Sequence, residues 1–142
     1  MNLDVAGKVI AQWRSTWVDS VKWTQITHAL SNEVYKCEHV QSGETVLVRV
    51  YLASRDTINE PLLGSIADIL GPKIFFKCDF GSVEEWIDGR VMTHAEITGE
   101  EYMTKVARKL RLLHDEVRVC HNDLHMLNII VDTAGSPTFI DY

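Results

Sequence analysis

The 142-residue chain has no surplus of positive charge: 14 Lys and Arg stand against 20 Asp and Glu, a formal net charge of −6. Nucleic acid and anionic membrane surfaces are polyanions, so neither is expected as the main partner, whereas a small cationic substrate fits. No apolar run is long enough to span a bilayer, and the amino-terminal stretch lacks the basic and apolar regions of a secretory signal. Cysteine is scarce. Cys37, Cys78 and Cys120 are odd in number, far apart and unlike any zinc spacing, which reads as reduced, mostly buried thiols of a cytoplasmic protein. Internal repeats, low-complexity stretches and Pro/Gly linkers are also missing, so any lobes the chain forms should be tightly joined. What remains, 46% hydrophobic and 24% charged, is ordinary for a soluble globular protein with one core or two small lobes sharing one.

The most informative stretch is the last. His121-Asn122-Asp123-Leu124-His125-Met126-Leu127-Asn128 is followed by apolar Ile129-Ile130-Val131, a turn at 132–136, and Pro137-Thr138-Phe139-Ile140-Asp141-Tyr142. An aspartate with an asparagine five positions later has the spacing of a kinase catalytic loop, in which Asp receives the substrate hydroxyl proton and Asn holds Mg²⁺. Asp141, at the end of the apolar hairpin, stands where a second metal ligand is needed. Asp123 and Asn128 as a lone pair read first as caps of local turns, which is what Asp and Asn usually do. The ordered set carries the kinase reading: His before Asp, an apolar run after Asn, and a turn returning into Phe-Ile-Asp. His121 and His125 stand four apart, but in a loop with no third ligand evident, which does not suit zinc.

Earlier in the chain, Val5, Val9, Trp13, Trp17 and Val21 recur every four residues and predict an amphipathic helix from about 4 to 19, capped by Asn2 or Asp4. The tryptophan pair on that stripe is expected in the core. Residues 21–27, 33–40 and 45–52 read as three strands, with a hairpin turn at Gln41-Ser42-Gly43-Glu44. Arg49 is the single basic residue in the most β-prone run, where a kinase carries the cation that meets ATP phosphates; the alternative is a surface arginine on an edge strand. A helix is expected from about Thr57 to Leu70, with Pro61 directly after Glu60 moving its start later. Residues 73–78 and 82–87 read as two further strands around Asp79-Phe80-Gly81. That triplet resembles a kinase metal motif, but it precedes the catalytic loop and is taken as a hairpin turn. Thr98-Gly99-Glu100-Glu101 predicts a capping box, with Met103, Val106, Ala107, Leu110 and Leu113 as the buried face of the next helix.

The phrases His-Asn-Asp-Leu, Asn-Ile-Ile and Phe-Ile-Asp-Tyr resemble the choline/ethanolamine kinases, the ethanolamine branch more than the choline branch. Gly71-Pro72-Lys73 followed by Val83-Glu84-Glu85-Trp86-Ile87 is similar to that family's approach to the segment between its lobes. The resemblance implies an α+β, protein-kinase-like architecture of two lobes: a small antiparallel-sheet N-lobe with a helix, and an incomplete helical C-lobe. The corresponding divisions are an amino-terminal helix over 1–20, the N-lobe over 21–87 and the partial C-lobe over 88–142. It further implies ATP and Mg²⁺, with Asp123, Asn128 and Asp141 as catalytic residues and Asn128 and Asp141 as the metal ligands. Ser31, Asn32 and Arg49 would meet the phosphates, Glu60 would pair Arg49 or else act as a helix cap, and the backbone from Glu85 to Ile87 would meet adenine. His28-Ala29 stands where the family has two glycines, and neither residue offers glycine's positive φ or close backbone approach.

The implied reaction is transfer of the ATP γ-phosphoryl group to the hydroxyl of ethanolamine or choline, the first step toward phosphatidylethanolamine or phosphatidylcholine. An aminoglycoside-type phosphotransferase shares the outline. Relative to the family, the link from the Leu110–His114 helix to the loop is short. The sequence also runs only one residue past Asp141, whose neighbour's α-carboxylate would then lie beside the metal site. Less material is left to cover Leu110, Leu113 and the Ile129–Val131 strand, so marginal stability, exposed apolar surface or a partner chain is expected. That partner could be a second copy or a longer relative, and the chain would then act through it as a truncated, inactive kinase-like protein.

Overall fold

The computed structural model describes residues 2–26, 32–52, 71–118, 121 and 123–140. These fall into two compact units, one within Met1–Ile58 and Lys73–Trp86, the other within Asn59–Pro72 and Ile87–Tyr142. The expected helix from Thr57 to Leu70, the loop at His28–Ser31, and Glu60, Cys120, Asp141 and Tyr142 lie outside the described residues.

The first unit begins with helix α1, Leu3–Trp13. Ala6, Val9 and Ile10 are fully buried on one side of it, with Leu3, Val5 and Trp13 packed around them. The Asn2 carbonyl accepts the N–H groups of Val5 and Ala6 at 3.0 Å, so Asn2 caps with its backbone and not its side chain. The helix stops six residues short of the expected end. Arg14 turns extended, and Ser15–Trp17 form a single 3₁₀ turn. The cause is tertiary. Breaking at Arg14 lets Trp17 bury itself, stack on His39 at 4.7 Å and meet Trp13 edge-on at 5.2 Å. Arg14 then lies over the Trp13 ring at 4.1 Å and reaches Glu44 at 2.7 Å. Four-residue spacing of Trp13 and Trp17 cannot distinguish that arrangement from a continuous helix.

The strands of this unit are β1 Val21–Ile26, β2 Asn32–His39, β3 Thr45–Tyr51, β4 Ile74–Cys78 and β5 Gly81–Glu85. They form one antiparallel sheet in the order β1-β2-β3-β5-β4. Alternation assigns the two faces. Tyr35, Cys37, Val46, Val48, Val50 and Val83 point to α1 and make the core with it. Their neighbours Leu47, Arg49, Ser82 and Glu84 occupy the opposite face. Asp79-Phe80 makes the tight β4–β5 turn, as expected of that triplet.

Cys37 is fully buried in this core, and burial pushes its thiol up to about 12 from an ordinary 9.0. In the unfolded chain the thiol ionises first as pH rises, so the unfolded state then holds fewer protons than the native one. The stabilisation is complete below pH 9 and is lost progressively toward pH 12. Wild-type protein should therefore lose more melting temperature between pH 8 and pH 10.5 than Cys37→Val, which has no proton there to lose. Parallel pH dependence of the two proteins would refute the assignment.

The second unit contains β6 Gly89–Val91, α2 His94–Ile97, α3 Glu100–Leu112, β7 Ile129–Asp132 and β8 Pro137–Phe139. Its sheet runs β6-β7-β8, antiparallel throughout. Gly89-Arg90-Val91, which carries no strand signal in the sequence, forms β6 by pairing with β7 some forty residues later. The expected capping box is also displaced. Thr93 and Glu96 form it, at the start of α2, while α3 starts from Gly99 without a side-chain cap. Thr98 instead closes the C-terminal end of α2, its hydroxyl donating to the His94 carbonyl at 2.9 Å. The buried side of α3 keeps three of its five expected residues: Val106 and Leu110 pack with Met92, Ile129, Val131 and Phe139, and Leu113 is buried just past the helix end. Tyr102 joins them, while Met103, 45% exposed, and Ala107 face out. Beyond α3 a single π turn, Leu113–Val117, continues the helix, and Arg118 ends it in left-handed backbone with φ 57°.

Candidate active site

In the second unit the β7–β8 hairpin brings Ile140 beside the loop that begins at His121. Its turn is tightly specified: Asp132 Oδ1 accepts the N–H groups of Ala134 and Ser136 at 2.9 and 2.8 Å, and Gly135 takes φ +76°, which a side chain would strain. The Ile140 N–H donates to the Asn128 carbonyl at 3.0 Å. His121, buried edge-on against Phe139, places Nε2 at 2.9 Å from the Ile140 carbonyl. A carbonyl accepts only, so Nε2 carries the proton. Both backbone groups of the residue preceding Asp141 are thus tied to the loop, one at each end of it.

Within the loop, the buried Asn128 side chain donates through Nδ2 to the Asp123 backbone carbonyl at 3.0 Å, with the Asp123 carboxylate Oδ2 at 3.5 Å. Asn128 N–H bonds the His125 carbonyl at 2.9 Å, closing the 3₁₀ turn Met126–Asn128. His125 caps that turn: its Nδ1 accepts the Leu127 N–H at 3.3 Å, which leaves the proton on Nε2, 3.7 Å from Asp123 Oδ2. The Asp123 side chain is 76% exposed. The result is a solvent-facing carboxylate over a buried, oriented amide. Asn128 Nδ2 is committed to Asp123, so Oδ1 is the atom the amide would offer to a cation, and a neutral hard oxygen suits Mg²⁺. Among the described residues no three His, Cys, Asp or Glu gather as a metal cluster. A surface cavity of about 370 Å³ in this unit, lined by Arg90, Tyr102, Asp132 and Thr133, contains none of the loop residues.

The first unit holds Asn32, Arg49 and Glu85 of the residues expected to meet nucleotide. Arg49 is not on an edge strand, since β3 lies at the centre of the sheet between β2 and β5. Its Nε and Nη2 donate to the two carboxylate oxygens of Glu84 at 3.0 and 3.4 Å. Sequence reasoning missed Glu84 as a partner, although period two places it and Ser82 on the face of β5 that matches Arg49. Asn32 is buried at the first position of β2, opposite Tyr51. Ser31 and Glu60 fall outside the described residues. Glu85 ends β5, its N–H donated to the Lys73 carbonyl at 2.8 Å and its Oε2 accepting the Lys73 N–H at 3.1 Å. Ile87 follows, half-buried, as part of the second unit.

A five-stranded antiparallel sheet with a buried Arg–Glu pair in one unit, and a helix, a small sheet and an Asp–Asn loop in the other, define a protein-kinase-like α+β fold. The solved ethanolamine kinase of Plasmodium vivax superposes with a TM-score of 0.75 at 18% identity, over 90% of this chain and 56% of that one. Choline kinase of Cryptosporidium parvum gives 0.57 at 19% identity, over 80% and 35%. Within that fold the chain belongs to the choline/ethanolamine kinase family, whose sequence profile matches residues 23–117. Ethanolamine kinase of Saccharomyces cerevisiae is 33% identical over 108 aligned positions, which cover 71% of this chain and 20% of that protein. The chain thus spans a fifth of that curated relative and about half of the Plasmodium structure. The profile match ends before His121, so the loop's chemistry rests on its geometry. Among the described residues no helix is long and apolar enough to cross a membrane.

Proposed function

We propose that this chain transfers the γ-phosphoryl group of ATP to the hydroxyl of ethanolamine, with choline the next acceptor. The observation that carries this is the loop: Asn128 bonded to Asp123 and His121 bonded to the residue before Asp141. The Asp123 carboxylate takes the hydroxyl proton as the acceptor oxygen bonds to the γ-phosphorus and the bridging oxygen leaves with ADP. Asn128 Oδ1 and Asp141 would hold Mg²⁺, which when bound neutralises charge on the phosphates. Arg49 contacts those phosphates, helped by Asn32 and Ser31, with Glu60 as a further partner of Arg49. Because the Glu85 N–H is already committed to Lys73, adenine would be read by the Glu85 carbonyl and the Ile87 N–H. The net charge of −6 suits a cationic amino alcohol. The free thiols of Cys37 and Cys78 support a reducing, cytoplasmic setting, and the product, a phosphorylated amino alcohol, would open phosphatidylethanolamine or phosphatidylcholine synthesis.

A second reading is favoured by Met103, Leu112 and Leu127, which are 45%, 47% and 56% exposed: a kinase-like chain that acts by docking a partner, a second copy or a longer relative. The two separate in a single-turnover assay with γ-labelled ATP offered ethanolamine, choline and an aminoglycoside. Label should move to ethanolamine first. Transfer to the aminoglycoside alone would reassign the substrate. No transfer to any acceptor, together with a stable complex in sedimentation, would favour the partner reading.

A further inference from the structure

We infer that Glu84 is a positioning residue for Arg49, holding its guanidinium in the plane from which it meets the ATP phosphates. The inference rests on the phosphate role proposed for Arg49 and adds to it a residue from β5. In the sheet register Arg49 stands directly opposite Ser82, and Glu84 is two residues along the same face of β5. That diagonal spacing is within reach of long side chains. Arg49 Nε and Nη2 engage the two Glu84 oxygens at 3.0 and 3.4 Å, and the Ser82 hydroxyl donates to Glu84 Oε1 at 2.6 Å. The three residues form one hydrogen-bonded row, with the Arg49 and Glu84 side chains only 14% and 8% exposed.

A guanidinium is a flat fork on a flexible stem. Engaging it through the Nε–Nη2 edge fixes both its plane and the direction of the opposite edge. Without such a brace, the stem must give up its rotamer freedom each time phosphate binds. Glu84 lies on a strand hydrogen-bonded to that of Arg49, so cation and brace move as one piece of sheet. Ser82 in turn fixes Glu84, leaving the carboxylate one orientation in which both its oxygens are used.

The test compares MgATP with adenosine, which lacks the phosphates, by titration calorimetry on the full chain. Glu84→Gln should weaken MgATP about tenfold and leave adenosine within about twofold, since only the phosphate contact depends on Arg49 orientation. Glu84→Asp, which keeps the charge on a shorter arm, should recover part of the loss. Ser82→Ala retains the ion pair and serves if Glu84→Gln does not fold; it should weaken MgATP by about threefold, again sparing adenosine. Equal loss of both ligands would mark Glu84 as merely structural and overturn the inference, as would MgATP affinity that is unchanged or improved in Glu84→Gln. A wild-type chain that binds adenosine and MgATP equally would instead remove the phosphate role of Arg49, and this inference with it.

Discussion

Asp123→Asn is expected to slow phosphoryl transfer to ethanolamine by about a thousandfold, the effect of removing a positioned general base, while stability and MgATP affinity stay near wild type. The geometry separates the two effects. Asn128 anchors the loop through the Asp123 backbone carbonyl at 3.0 Å, and its contact with the carboxylate, at 3.5 Å, is marginal. The carboxylate itself is solvent-facing. An amide of the same shape can occupy that place without disturbing the turn, but it cannot take the hydroxyl proton at neutral pH. The loss should therefore appear in kcat and in kcat/KM together, the signature of an interaction made in the transition state. A variant that retained a third of the wild-type rate would remove Asp123 from the chemistry. One that lost its melting transition would show that the carboxylate is structural.

The largest stability effect is expected at Gly81. A Cβ there would lie far inside contact distance of the Arg49 carbonyl oxygen, and 3.2 Å from both the Arg49 carbonyl carbon and Val9 Cγ2. The nearest obstruction, the Arg49 carbonyl, is backbone, which cannot swing aside as a side-chain end would. Either β3 and β5 part or the start of β5 shifts against α1. Gly81→Ala should cost about 3 kcal/mol, at the upper end for overpacking, and lower the melting temperature by roughly 10 °C for a domain of this size. Gly7→Ala provides the contrast. Gly7 is inside α1 with nothing within 4 Å of the added methyl, so alanine should stabilise by about 0.5–1 kcal/mol through helix propensity. Thermal melts of the two variants should move in opposite directions. If Gly81→Ala melts within 2 °C or so of wild type, the close packing of β5 on β3 is not as described. Because the displaced carbonyl belongs to Arg49, the same variant should also weaken MgATP.

Elements made by near neighbours were legible in the chain. The alternation over β1, β2 and β3, the glycine turn at Gly43 and the Asp79-Phe80 turn declare themselves within a few residues, because strand faces and turn conformations are local properties. The spacing of Asp123, His125 and Asn128 was legible for the same reason: one turn of loop both spaces and bonds them. Features that depend on a distant partner are not written in the local sequence. The break of α1 at Arg14 follows from Trp17 seeking His39 and Arg14 seeking Glu44. The capping box belongs to Thr93, whereas Thr98 closes the far end of the same short helix with its hydroxyl on the His94 carbonyl. Strand β6 forms because β7 supplies its hydrogen bonds from forty residues away, and nothing in Gly89-Arg90-Val91 announces that partner.

Local chemistry alone therefore dictated the strand runs, the turns and the order of the Asp and Asn side chains in the loop, since each is decided by residues within a few positions of one another. Packing between remote segments decided which carboxylate braces Arg49, that Tyr102 and not Met103 lines the core side of α3, and that His121 fastens the loop to Ile140. Those outcomes rest on burial, where a polar or charged side chain takes whichever partner the fold brings within about 3 Å, and sequence separation places no constraint on that partner.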